Sequence, residues 1–142
     1  MEELFAALEQ ALLDYRQDLE NCERRRKPMD GLFGLGYRIQ DDPCHTRLDE
    51  RIKQATDGIC AAEPAPEDAE RAVRMLLCID AQTWPESGRL MLRAIQRHSL
   101  PLIPLLPPDA AAALLREYAG RYKRWDRLPV QQQICKALKA RA

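Results

Sequence analysis

Apolar positions at the start of the chain step alternately by four and three: Met1, Phe5, Leu8, Leu12, Tyr15, Leu19 and Cys22. This is a heptad seam, and it predicts an amphipathic helix. The next strong breaker is Pro28, so the helix is expected from about Glu2 to Lys27. The basic run Arg24, Arg25, Arg26, Lys27 would then lie in its last turn, facing the negative end of the helix dipole. A second helix is expected from "DDPC". Asp42 suits the cap and Pro43 the first helical position. Its seam is Leu48, Ile52, Ala55, Ile59 and Ala62, again stepping by four and three. Gly58 is the weak point, since an interior glycine costs about 1 kcal/mol. Two such stripes joined by one connection predict a long antiparallel helical hairpin over residues 1–62.

"AAEPAP" (61–66) reads as a hinge. A third helix is expected from Glu67 to about Ile79, burying Ala69, Ala72, Val73, Leu76 and Leu77. A fourth is expected from Trp84-Pro85-Glu86 to about His98, burying Met91, Ala94, Ile95 and His98. "SLPLIPLLPPD" predicts an extended apolar connection, because each proline disfavours helix in the residue before it. A fifth helix follows Pro108 and Asp109 and runs to about Trp125. A sixth opens at Pro129 with Val130, Ile134 and Leu138 as its stripe. No alternating segment supports a strand. The expected fold is therefore all-α with about six helices: an N-terminal hairpin packed on a four-helix part (67–142), within one domain spanning 1–142. Ala72, Val73 and Trp84 precede Ala113, Leu114 and Trp125 by 41 residues. That spacing is in the range of HEAT-type repeats. Two copies are fewer than such arrays need, and two similar helix pairs are the plainer account.

Composition narrows the class. With 46% apolar residues in 142, the chain has enough to build a core without metal or disulfide. Charged residues make up 31%, and apolar runs such as Met75 to Ile79 are far short of the about 20 residues a membrane span needs. "MEELFAALEQ" has neither the basic nor the apolar region of a secretory signal. Five widely spaced cysteines, with no CxxC pair, read as thiols in a reducing compartment, which points to the cytoplasm. The net charge is zero but unevenly spread. Residues 1–62 balance at −4 and residues 63–142 at +4, which suits either attraction between the two halves or an acidic partner for the basic end.

The candidate chemistry is sparse. Gly31, Gly34 and Gly36 fall in "DGLFGLGYRIQDDPCH", but a phosphate loop needs a helix N-terminus free of acid, and Asp41 and Asp42 stand there. The stretch reads as a connection between helices. At about 15 residues (Pro28 to Asp42) it exceeds the usual 2–8, and Leu32, Phe33, Leu35 and Tyr37 make it a candidate docking loop. Cys44 near a helix N-terminus, beside His45, is a candidate reactive thiol. Neighbours on a helix diverge by about 100°, so His45 is poorly placed to serve Cys44 as base. His98, on an apolar stripe, reads as a satisfied core histidine. Cys22, Cys44, His45 and Cys60 lack the paired short spacings of a zinc site.

"REYAGRYKRWDR" (116–127) mixes bases with aromatics, as single-strand-binding grooves do. On a helix running to Trp125, however, Leu114, Tyr118, Tyr122 and Trp125 share one side, with Arg116, Lys123 and Arg127 almost opposite. The aromatics would face the core and the bases water. The sequence thus points to a non-catalytic helical module that binds a protein or a second copy of itself. A nucleic-acid-associated protein using the basic face is the alternative, and an enzyme using Cys44 a distant third. No cofactor, metal, membrane or small-molecule substrate is expected.

Overall fold

Prolines set the starts of four of the six helices in the computed structural model, which describes residues 1–33, 43–85 and 88–142, the side chains of 23–33 and 43 excepted. The helices are α1 (Glu2–Phe33), α2 (Pro43–Ala61), α3 (Pro66–Leu77), α4 (Arg89–Ile95), α5 (Pro108–Arg121) and α6 (Pro129–Arg141). The residues before Pro66, Pro108 and Pro129 are all extended, with ψ of 156°, 142° and 164°. That is the conformation a following proline ring imposes. Proline then supplies a helical φ at a position whose N–H would have had no partner. The described residues hold no strand, and the fold is all-α.

Most positions of the 4-3 seams pack as expected, with Leu12 and Leu48 half-buried and Met1 exposed. Phe5, Leu8, Tyr15, Leu19 and Cys22 of α1 are buried, as are Ile52, Ala55 and Ile59 of α2. Leu4 meets Gly58, Asp14 meets Arg51, and Tyr15 meets His45. One number rises as the other falls, so the pair is an antiparallel hairpin. Gly58 serves that packing: a Cβ there would stand 3.0 Å from Leu4 Cδ2. All five residues predicted for α3 are buried, as are Ile134 and Leu138 of α6. Buried side chains of all six helices join one hydrophobic core.

Four expectations are corrected. First, α1 does not stop at Lys27 but runs through Pro28 to Phe33. Proline's fixed φ is itself helical, so the ring costs a hydrogen bond without forcing the chain out of the helix. The basic run 24–27 is therefore not the last turn. Second, α4 starts at Arg89, not Trp84, and covers only seven residues before a 3₁₀ turn, Gln96–Ser99. Leu92 and Gln96 are buried there, while Met91 and Ala94 are half-buried. Third, the proline-rich connection is not extended: Ile103–Leu105 form a 3₁₀ turn. Leu102, Ile103 and Leu106 are fully buried, and that burial outweighs the local bias of Pro104. Fourth, α5 ends at Arg121, not Trp125. Ala62, the last predicted seam position of α2, lies beyond that helix and is exposed.

Side-chain ties cross the core boundary at fixed points. The Arg71 guanidinium lies 4.1 Å from the centroid of the Phe5 ring and donates to Glu2 at 2.8 Å, joining α3 to α1. Asp49 of α2 accepts from Arg97 at 2.6 Å and contacts His98 Nε2 at 3.1 Å, which ties the hairpin to the turn after α4. Burial pushes the Asp49 carboxyl up, but its His98 and Arg97 partners outweigh this and hold it below the usual carboxylate range.

Two predictions arise from this packing. Leu8→Ala or Ile52→Ala should each cost about 2–5 kcal/mol, as for buried large-to-small changes. Leu12→Ala should cost less because Leu12 is only half-buried. Chemical denaturation of the three variants checks the order. The folded-state pKa of Asp49 is lowered, so its contribution is complete above the unfolded carboxylate pKa and is lost as pH falls through the folded one. The native protein should therefore lose stability below about pH 4 more steeply than Asp49→Asn. Melting curves between neutral and acid pH measure the difference.

Candidate functional site

The end of α5 at Arg121 exposes a different surface from the one its helical phase predicted. Gly120 lies one residue before that end and is the available stop signal in the sequence. The Arg121 guanidinium donates to the Leu77 carbonyl at 2.9 Å and joins α5 to the end of α3. Tyr122 leaves the helix with ψ of 99°, and Arg124–Asp126 form a 3₁₀ turn. Trp125 rides on that turn at 84% exposure. It was expected to face the core beside Tyr118, and the reason it does not is plain: the 100° step applies only inside a helix. Tyr118 is buried and Tyr122 half-buried, so the aromatic side of α5 closes one residue beyond its last turn.

The turn is held from several sides. Arg93 of α4 donates to the Asp126 carbonyl at 3.0 Å and to its carboxylate at 2.8 Å. The same guanidinium lies 4.8 Å from the centroid of the Tyr122 ring. Arg127 Nε donates to the Tyr122 carbonyl at 2.8 Å. The backbone under Trp125 is thus fixed while its indole stays in water. Lys123 and Arg124 flank it, both exposed and neither in an ion pair among the described residues. Arg116 is exposed on α5, in the last two turns before the helix ends. Arg127 is half-buried and engaged with the backbone. The three predicted bases therefore do not form one helical face.

Beneath this corner lies a buried amide network that the sequence pattern did not reveal. Tyr118 donates to Gln96 Oε1 at 2.6 Å, and Gln131 Nε2 reaches the same oxygen at 3.4 Å. Gln96 Nε2 donates to the Tyr122 hydroxyl at 3.3 Å. Gln131 accepts from the Leu128 N–H at 3.1 Å, half of a capping arrangement for α6, and that spacing was the one legible signal. Burial pushes the Tyr118 hydroxyl well above its ordinary pKa, so it stays a proton donor at any working pH.

The thiol candidate resolves differently. Cys44 is exposed, and Arg47 donates to its sulfur at 3.2 Å. His45 turns inward, with Nε2 2.6 Å from the Tyr15 hydroxyl and Nδ1 3.6 Å from Asp18. The two side chains diverge, as neighbours on a helix do. Trp84 lies tilted against Tyr15, with 5.8 Å between ring centroids, and His45 is itself buried. None of the five cysteines is in a disulfide. His98 is buried against Asp49. Among the described residues no group of three or more His, Cys, Asp or Glu converges as a metal site would, and no helix is long and apolar enough to cross a membrane.

Of the docking-loop candidates, Leu32 and Phe33 fall in the last turn of α1, with side chains outside the described residues. Leu35 and Tyr37 lie outside them altogether. A second surface feature was not foreseen. A groove of about 170 Å³ lies between α1 and the segment after α3, lined by Leu12, Leu13, Ile79 and Trp84, with Glu9 and Arg16 at its edge. Leu13 is 46% exposed there.

Comparison of the chain with protein-family models, with curated proteins and with solved structures gives no match.

Tyr118→Phe should cost about 1–3 kcal/mol, the range for leaving a buried acceptor short of its donor. Denaturation in urea, with an unchanged m-value, checks it.

Proposed function

We propose that this chain is a non-catalytic helical interaction module that binds another protein through the turn carrying Trp125. The observation that supports this most directly is the 84% exposure of an indole on a backbone fixed by Arg93, Asp126 and Arg127. Tryptophan and arginine dominate the energetics of protein interfaces. A rigid turn also spares the ordering cost that a mobile loop brings to binding. Lys123 and Arg124 beside it favour a partner surface of acidic character. The five widely spaced thiols favour a reducing compartment, the cytoplasm, as the place of work.

A second reading has its own support. Trp125 is not in the core, so an aromatic platform and two bases without an ion pair among the described residues do stand together, as in grooves that stack single-stranded nucleic acid. Against it, one indole makes a small platform, and Arg127, the third base, is turned to the backbone.

Trp125→Ala separates structure from function. Its stability should change by no more than an ordinary surface substitution allows, about 0.5 kcal/mol. Capture of protein from nuclease-treated cell extract should fall at least about tenfold. Binding to a labelled oligothymidylate should be weak and lost steeply with salt. Sub-micromolar oligothymidylate binding at about 0.15 M salt, abolished by Trp125→Ala, would move the reading to nucleic acid.

A further inference from the structure

The same chain carries a projecting indole and an open apolar groove at different places on its surface. We infer that the Trp125 turn of one copy docks in the Leu12–Leu13–Ile79–Trp84 groove of a second copy. The inference rests on the reading of the Trp125 turn as a docking surface and names its occupant.

Three observations carry it. The first is the unsatisfied apolar surface on both sides. Trp125 is 84% and Leu13 46% exposed, and the groove between α1 and the segment after α3 is lined mainly by apolar side chains. An indole buries about 150–250 Å² when it is covered, the largest such gain any side chain offers. The second is charge. Residues 1–22 hold six acidic side chains and one basic, whereas residues 121–127 hold four basic and one acidic. Glu9 and Glu20 lie one turn before and two turns after Leu13 on the same face of α1. Glu9 lies at the groove edge, and neither carboxylate is in an ion pair among the described residues. Lys123 and Arg124 flank the indole and are likewise unpaired among the described residues. Arg16, the one base in residues 1–22, also lies at the groove edge. The third is symmetry. The two patches are distinct, so the contact is heterologous: one copy gives its tryptophan and the other its groove. A projection on one part of a molecule that complements a depression on another drives such assembly.

The test uses two surface variants of the full chain and light scattering after size exclusion. The native protein should show a mass that rises with concentration, from monomer at about 10 μM toward dimer or larger at about 1 mM. Trp125→Ala removes the projection, and Leu13→Lys blocks the groove and opposes Lys123. Each alone should weaken association at least about tenfold, with melting temperature unchanged. Mixed together they should form a heterodimer of one copy of each, because Leu13→Lys retains its tryptophan and Trp125→Ala retains its groove.

A native protein that stays monomeric to about 1 mM overturns the inference. So does association that survives either substitution, or a mixture that stays monomeric. The interaction-module reading fails separately. If the native chain is monomeric but captures another protein through Trp125, that reading stands and self-docking falls. If a monomeric native chain instead binds poly-glutamate or oligothymidylate through Trp125, the groove is not its occupant and the inference is also overturned.

Discussion

Burial of one stripe on α1 organises the rest of the molecule. Phe5, Leu8, Ala11, Tyr15, Leu19 and Cys22 are all buried, yet they do not face a single partner. Around Phe5 the helix meets α3 through Arg71. Around Tyr15 it meets His45 of α2 and Trp84 after α3. At Leu19 it meets Gly88 so closely that a Cβ there would stand 2.8 Å from Leu19 Cδ1. A helix rises about 1.5 Å per residue, so this stripe spans the length of a small domain. Every element that packs on it is placed along one rigid ruler.

The second constraint is polar. Once α4 is cut to seven residues, its last turn and the following 3₁₀ turn bring Gln96 into the core. A buried amide must have partners or it costs stability. Tyr118, Tyr122 and Gln131 supply them from α5, the residue after it, and α6. These bonds fix the relative placement of the last three helices more narrowly than apolar contact does, since hydrogen bonds are directional and hydrophobic contact is not. The surface consequence lies just above. With Tyr122 drawn toward Gln96 and Arg93, the chain turns out of helix and lifts Trp125 into solvent.

The two halves of the molecule thus present different surfaces for different reasons. Residues 1–22 of α1 hold six acidic side chains against one basic, and its seam takes up the apolar ones. The C-terminal part shows Lys123, Arg124 and an exposed Trp125 together on the turn that follows α5. The proposed binding role follows from this contrast, and its two exposed residues, Trp125 and Leu13, lie outside the buried core. Because Trp125 and Leu13 are exposed, changing them separates binding from folding, which is what makes the reading open to experiment.

Much of the fold was legible in the sequence because it rests on period. The heptad steps of α1 and α2, the five buried positions of α3 and the proline starts of α2 and α6 are local signals, written in neighbouring residues. The places where the sequence reading failed share one cause: each extended a local rule past a point where long-range contact overrode it. Pro28 did not end α1. Burial of Leu102, Ile103 and Leu106 curled a proline-rich segment that local bias would have stretched. The candidate site lay almost wholly in this second class. The exposure of Trp125 depends on where α5 stops, and the groove beside Leu13 depends on how Ile79 and Trp84 return to α1. Periodicity along the chain fixes which residues share a face, but whether that face is covered depends on elements distant in sequence, and only the tertiary structure brings them together.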